Sequence, residues 1–140
     1  MIVEGQAKGQ EDEMILLLDT TILIDVLRGR RDRRLLLAEL IIGGHTLATA
    51  AINIGEVYAG MRPDEEAKTE TFLSSLECYP LTGGIARRAG SLKSARARKG
   101  QTVSLADMIV AATALEGGHT LMTDNVKDFP VAELKLYPLA

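Results

Sequence analysis

The sequence predicts an α/β domain, a three-layer α/β/α sandwich around a central, mainly parallel sheet of about five strands. Three observations predict it. Short apolar runs alternate with longer helical patterns, as parallel strands joined by helical crossovers must. The first of these runs, Ile15 to Leu18, is apolar at every position, which suits a central strand covered on both faces. Finally, 140 residues with 46% hydrophobic and 25% charged side chains provide one core and not two.

Taken in order, residues 1–13 are polar, contain glycine and lack periodicity, so they read as a disordered extension. Met14, directly before the first strand, is a candidate start, and 14–140 forms the folded domain. Thr20 to Leu27 carries Ile22, Leu23, Val26 and Leu27 as a helical stripe that stops near Gly29. A second helix, Arg33 to Ile42, ends at Gly43-Gly44, and His45 to Thr49 reads as the second strand. Ala51 to Gly60 follows as a helix with Ile54, Val57, Tyr58 and Met61 on its apolar side and Asn53, Glu56 and Gly60 opposite. After Pro63, Asp64 to Ser75 is helical and Glu77 to Pro80 is a third strand. Thr82 to Lys99 forms a long basic helix. Ser104 caps another helix through Leu115, closed by Gly117-Gly118. Thr120 to Thr123 is the fourth strand, and a fifth lies near Leu134 to Tyr137.

Composition narrows the function. The longest early apolar run, Met14 to Leu18, ends at Asp19, too soon to cross a bilayer or act as a secretory segment, so the cytoplasm is expected. The lone Cys78 has no intrachain partner and is expected to be a small buried hydrophobe. The net charge of −3 does not favour nucleic-acid binding through the overall field. Its distribution is more informative, because without residues 1–13 the chain is neutral. Arg28, Arg30, Arg31, Arg33 and Arg34 then form one basic cluster, and Arg87, Arg88, Lys93, Arg96, Arg98 and Lys99 form another. Each is either a phosphate-holding surface or a solvated face.

Sheets of this kind place their sites at the carboxyl ends of the strands, where the chain reverses its winding. Asp19 stands there directly after the first strand, although an Asp before a helix also serves as an N-cap. Glu56 lies on the helix after the second strand. Asp107 opens an apolar, Ala-rich helix, where a carboxylate needs a partner for its charge, or else completes a capping box with Ser104. Thr123-Asp124-Asn125-Val126-Lys127-Asp128 follows the fourth strand, where Asp-Asn also favours a plain turn. Carboxylates gathered in one cleft repel unless protonated or bridged by a cation, and Mg²⁺ or Mn²⁺ suits an all-oxygen set. Such a site serves phosphodiester hydrolysis without a Cys or His nucleophile. His45 and His119 read as loop residues without a role.

Four blocks carry a resemblance: 17-LLDTTILID-25, 56-EVYAG-60, 105-LADMIVAA-112 and 121-LMTDNVKDF-129. In order and spacing they resemble the signature blocks of PIN-domain proteins, and VapC-type toxins most of all. The resemblance implies adjacent first and fourth strands and a metal-dependent endoribonuclease. It carries over Asp19, Glu56 and Asp107 as the acidic core and metal ligands. The family often has an acid two residues after the Thr of the last block; here that position is Asn125, flanked by Asp124. Both are retained as candidate contributors, with Asp128 structural, and Asn125 in place of an acid favours a single Mg²⁺ or Mn²⁺. The resemblance further implies an RNA substrate, a VapB-type antitoxin partner and a homodimer.

Two other classes fit poorly. A phosphoacceptor receiver domain needs an Asp ending the third strand and a Lys after the fifth, and a phosphatase of the Asp-x-Asp type needs an acid where Thr21 stands. Within the same fold, an RNA-processing nuclease and a non-catalytic RNA- or partner-binding module remain alternatives.

Overall fold

The computed structural model describes residues 13–139, so the disorder expected of the first twelve residues lies outside the described chain. Five strands form one sheet: β1 (Ile15–Leu18), β2 (Thr46–Ala50), β3 (Glu77–Tyr79), β4 (Thr120–Met122) and β5 (Lys135–Leu136). They lie in the order β3-β2-β1-β4-β5 and every neighbouring pair is parallel. Six helices cover it: α1 (Thr20–Leu27), α2 (Arg33–Ile42), α3 (Ala51–Gly60), α4 (Glu66–Ser74), α5 (Gly83–Arg98) and α6 (Leu105–Gly117). The predicted sandwich is the observed fold.

The single core expected from composition is divided by the sheet into two apolar layers, one on each face, and strand geometry explains the division. Side chains alternate across a strand, so Leu17 enters one core with Ala48, Leu121 and residues of α5 and α6. Leu16 and Leu18 enter the other, with Met122 and residues of α1 to α4. All three leucines are fully buried, which is why the run is apolar without alternation. Truncating one of them to Ala would cost about 2–5 kcal/mol.

Most element boundaries match to within two residues, and the differences are local. Pro63–Glu65 forms a 3-10 turn before α4 begins, because Pro fixes a helical φ but lacks an N–H. The chain is tied in from Met14, whose N–H donates to His45 Nδ1 at 3.0 Å. His45 is therefore an anchor for the start of β1 rather than a bystander. Cys78 corrects another expectation: it is exposed, because β3 is the edge of the sheet and leaves its side chain uncovered.

His119 is a loop residue, as expected, between α6 and β4, but it has a packing role. It is buried and stacks on Tyr79 with ring centroids 4.6 Å apart and an interplanar angle of 11°. Burial holds its imidazole below the ordinary histidine pKa, and burial and a bond to Glu77 push the Tyr79 hydroxyl up to about 12. Gly117 is needed here, since a Cβ on it would lie 1.9 Å from His119 Nε2. Gly118 closes α6 at φ +66°, the left-handed region that glycine enters freely.

From β1 the chain steps outward to β2 and β3, then returns across the sheet to β4 on the other side of β1. The winding reverses between β1 and β4, and their carboxyl ends form the natural ligand crevice.

Candidate active site

Asp19 and Thr123 sit side by side at that crevice. Leu18 pairs with Met122, and the Asp19 N–H continues the ladder by donating to the Met122 carbonyl at 3.0 Å. Asp19 is only 6% exposed, and both of its carboxylate oxygens are engaged. Oδ2 accepts from Thr123 Oγ1 at 2.7 Å, and Oδ1 accepts from the Thr20 N–H at 2.9 Å and from Asn53 Nδ2 at 3.3 Å. The helix-cap reading of Asp19 is thus correct and does not displace the other one. The same carboxylate starts α1 and faces the crevice.

Asn53 comes from α3 and is fully buried. Its Oδ1 accepts from the Ala50 N–H at 3.2 Å, and its Nδ2 also donates to Thr20 Oγ1 at 2.9 Å. Thr20 Oγ1 in turn donates to Glu56 Oε1 at 2.5 Å. Asn53 and Glu56, three residues apart, share one helix face, as the sequence indicated. That face is turned to the crevice rather than to open solvent at Asn53, so Asn53, Thr20 and Thr123 are site residues that a search for acids alone passes over.

Asp107 occupies the first turn of α6. Ser104 Oγ accepts from its backbone N–H at 3.0 Å and caps the helix. Here the cap is Ser104, which leaves the Asp107 side chain to the cleft. Burial raises the Asp107 carboxyl above the ordinary aspartate range, the nearby Ser104 hydroxyl opposes this, and the negative charges of Asp19, Asp128 and Glu56 raise it further. Burial is also the largest influence on Asp19, whose pKa is raised despite the bonds from Thr123, Thr20 and Asn53, with Glu56 adding repulsion. The structure therefore brings Asp19, Glu56 and Asp107 into one electrostatic neighbourhood, and Asp128 joins it on the side of Asp107. Among the described residues no three His, Cys, Asp or Glu side chains converge tightly enough to enclose an ion by themselves.

The two other candidates are placed differently. Asn125 directs its backbone N–H to Thr123 Oγ1 at 3.0 Å, which orients that hydroxyl toward Asp19. Asp124 faces arginines: Arg33 Nη2 lies 2.7 Å from its Oδ1 and Arg31 Nη1 3.3 Å from its Oδ2.

Neither basic cluster is simply a free phosphate-binding surface or a solvated face. Arg34 donates to the Val26 and Leu27 carbonyls at 2.7 and 3.1 Å and so caps the end of α1, and Arg28 pairs with Glu65. On α5, Arg88 pairs with Glu116, Lys93 donates to the Val103 carbonyl at 2.5 Å, and Arg96 donates to the Pro130 carbonyl at 2.7 Å.

Comparison with known proteins agrees with this arrangement. The PIN domain family matches residues 16–132, a span that takes in both strand ends and every acid just described. This chain belongs to the PIN domain family. Ribonuclease VapC19 of Mycobacterium tuberculosis is 37% identical over 115 residues, covering 82% of this chain and 92% of its own. Ribonuclease VapC10 of the same organism is 34% identical over 126 residues, covering 90% and 94%. Among solved structures, VapBC2 from Rickettsia felis bound to a DNA fragment from its promoter aligns with a TM-score of 0.78 at 26% identity, covering 89% of this chain and 98% of the other. A toxin–antitoxin complex from Klebsiella pneumoniae aligns at 0.73 and 29% identity, covering 88% and 96%. The PIN assignment thus rests on nearly the whole domain.

Proposed function

We propose that this PIN domain is an endoribonuclease and the toxin of a VapBC-type toxin–antitoxin pair, hydrolysing RNA phosphodiester bonds with Mg²⁺ or Mn²⁺ held by Asp19, Glu56 and Asp107. One observation carries the metal part of the reading. Among the described residues no Lys, Arg or His stands within ion-pair distance of those three acids, whereas Asp25 and Asp124 nearby are supplied with arginines. A cleft that gathers carboxylates without a protein cation suits an exchangeable one. The donor set fits: it is all oxygen, and Mg²⁺ is commonly held by one or two carboxylates while retaining waters.

Such a cation, when bound, supplies Lewis acidity to water and positive charge to the phosphoryl group. The chain's own residues prepare the place. Thr123 and Asn53 fix the two oxygens of Asp19, Thr20 ties Glu56 to the same frame, and Ser104 caps the helical turn that carries Asp107. Oriented ligands of this kind are worth on the order of 10–100-fold in metal affinity or activity per supporting contact. Asn125 contributes through Thr123.

The partner reading rests on the relatives, whose structures are complexes of toxin with antitoxin. It is supported by Ile41 and Ile42 at 58% and 86% exposure on α2, next to a groove of about 520 Å³ between α2, β2 and α4. A VapB-type antitoxin is its proposed occupant. A homodimer and a cytoplasmic location complete the reading; no helix of the described chain is long and apolar enough to cross a membrane. Purified protein incubated with RNA and Mn²⁺, with and without EDTA, tests the activity. Metal-dependent cleavage that a co-expressed antitoxin suppresses is the expected result, and undiminished cleavage in excess chelator rejects the proposed chemistry.

A further inference from the structure

Between α1 and α2 the chain makes a turn in which Arg31 and Asp32 both adopt left-handed backbone conformations, at φ 57° and 56°. Residues other than glycine enter this region at a cost and stay there when surrounding contacts hold them. The contacts here converge on two acids. Arg33 is buried, with Nη2 at 2.7 Å from Asp124 Oδ1 and Nε at 3.9 Å from Oδ2 of the buried Asp25. Arg31 repeats the pattern, farther from Asp124 at 3.3 Å and about as far from Asp25 at 3.8 Å. Two carboxylates and two guanidiniums make a charge-balanced set at the end of β4, beside the three uncompensated acids, although Asp124 Oδ2 and Arg33 Nε meet their partners only as ion pairs and have no hydrogen bond.

We propose that Arg33, anchored by Asp25 and assisted by Arg31, is a positioning residue that withholds Asp124 from the metal site, leaving Asp19, Glu56 and Asp107 as the ligating carboxylates. The proposal rests on the metal reading given above and deepens it. A carboxylate 2.7 Å from a guanidinium has its charge compensated and one oxygen committed, so it has little affinity left to offer a second cation. Asp25 is buried, and among the described residues its side chain forms ion pairs with these two arginines alone. Breaking the pair from the arginine side should release a free carboxylate next to the site.

The test is Mn²⁺ binding to the purified full chain, measured by titration calorimetry and by electron paramagnetic resonance of free Mn²⁺. Asp124→Asn should bind Mn²⁺ with the parental stoichiometry and within about twofold of the parental affinity, since it removes no ligand. Arg33→Gln should bind Mn²⁺ about tenfold tighter or take up a second equivalent, and Arg33→Gln/Asp124→Asn should revert, because coupling appears only between interacting residues. Arg31→Gln, at an exposed position, should shift in the same direction by less, and keeps the test open if Arg33→Gln does not fold. Loss of about tenfold or more in Mn²⁺ affinity on Asp124→Asn alone would make Asp124 a ligand and overturn the inference. So would unchanged Mn²⁺ binding in both arginine variants. Asp107→Asn serves as the control: parental Mn²⁺ binding there would remove the metal site itself, a failure distinct from that of Asp124.

Discussion

Thr123 Oγ1 donates a 2.7 Å hydrogen bond to Asp19 Oδ2 while accepting one from the Asn125 N–H, so a hydroxyl from the fourth strand's end sets the orientation of the first strand's carboxylate. The two residues are 104 positions apart and meet because β1 and β4 are neighbours. Thr123→Val keeps the shape and removes the donor. RNA cleavage at saturating Mn²⁺ should fall by about 10–100-fold, with Thr123→Ser recovering most of it. Equal activity in Thr123→Val and the parent would show that Asp19 needs no such support.

The metal-free protein should lose stability as pH rises through the carboxylate range. Asp19 and Asp107 both have folded-state pKa values above their unfolded ones, chiefly through burial. Their protonated forms are favoured in the fold, so that contribution is complete below the unfolded values and is lost as pH climbs through the raised ones. Melting of the apo protein from about pH 4 upward should therefore show Asp19→Asn gaining relative to the parent as pH increases. A gap that narrows with pH would reverse the sign of the argument.

Much of the fold was legible because it is written in local periodicity. Ile15 to Leu18 reads as a buried strand from its own composition, and α6 announces both ends, with Ser104 before it and Gly118 after it. What stayed hidden depends on neighbours distant in sequence. Cys78 looks buried in its local context and is exposed because β3 happens to be the sheet's edge. Asn53 lies on a helix face read as polar, yet it is buried because β1 delivers Asp19 to it. Asp124 flanks Asn125, the position where the resemblance implies an acid, and its partner Arg33 is 91 residues away. Asp19 and Asp107 stand out locally, at a strand end and a helix start, whereas Glu56, in the middle of α3, is singled out by the EVYAG block that carries the resemblance. Their hydroxyl and amide supports do not stand out, because threonines and asparagines are ordinary everywhere.

The stack of His119 on Tyr79 gives a prediction remote from the site. The histidine pKa is lowered by burial, so its neutral form belongs to the fold and the stability it supports declines as pH falls from about 6.5. His119→Phe should keep the stacked packing and flatten that decline, whereas Gly117→Ala should lower the melting temperature at every pH by driving a Cβ into the imidazole. Melting curves between about pH 5 and 8 decide it, with an unaltered pH profile in His119→Phe as the contrary result.

On α5, the bond from Arg96 to the Pro130 carbonyl assigns that residue to architecture. Arg96→Met should destabilise the protein by about 1–3 kcal/mol, the usual penalty for unpairing a partly buried carbonyl. Thermal melts should register the loss, and the salt dependence of RNA binding should stay parental; a flattened salt slope without destabilisation would return Arg96 to the phosphate-binding surface.

The most direct test of the central claim is the RNA cleavage rate of Asp19→Asn and Asp107→Asn at saturating Mn²⁺, each paired with its melting temperature without metal. Asn is nearly isosteric with Asp and still caps a helix, so a purely structural Asp would tolerate the change at about 1 kcal/mol or less. Asp19 and Asp107 as metal-holding acids should instead lose cleavage by about a hundredfold or more, with apo stability equal to the parent's or higher because repulsion with Glu56 is relieved. Near-parental cleavage in both variants would contradict the account.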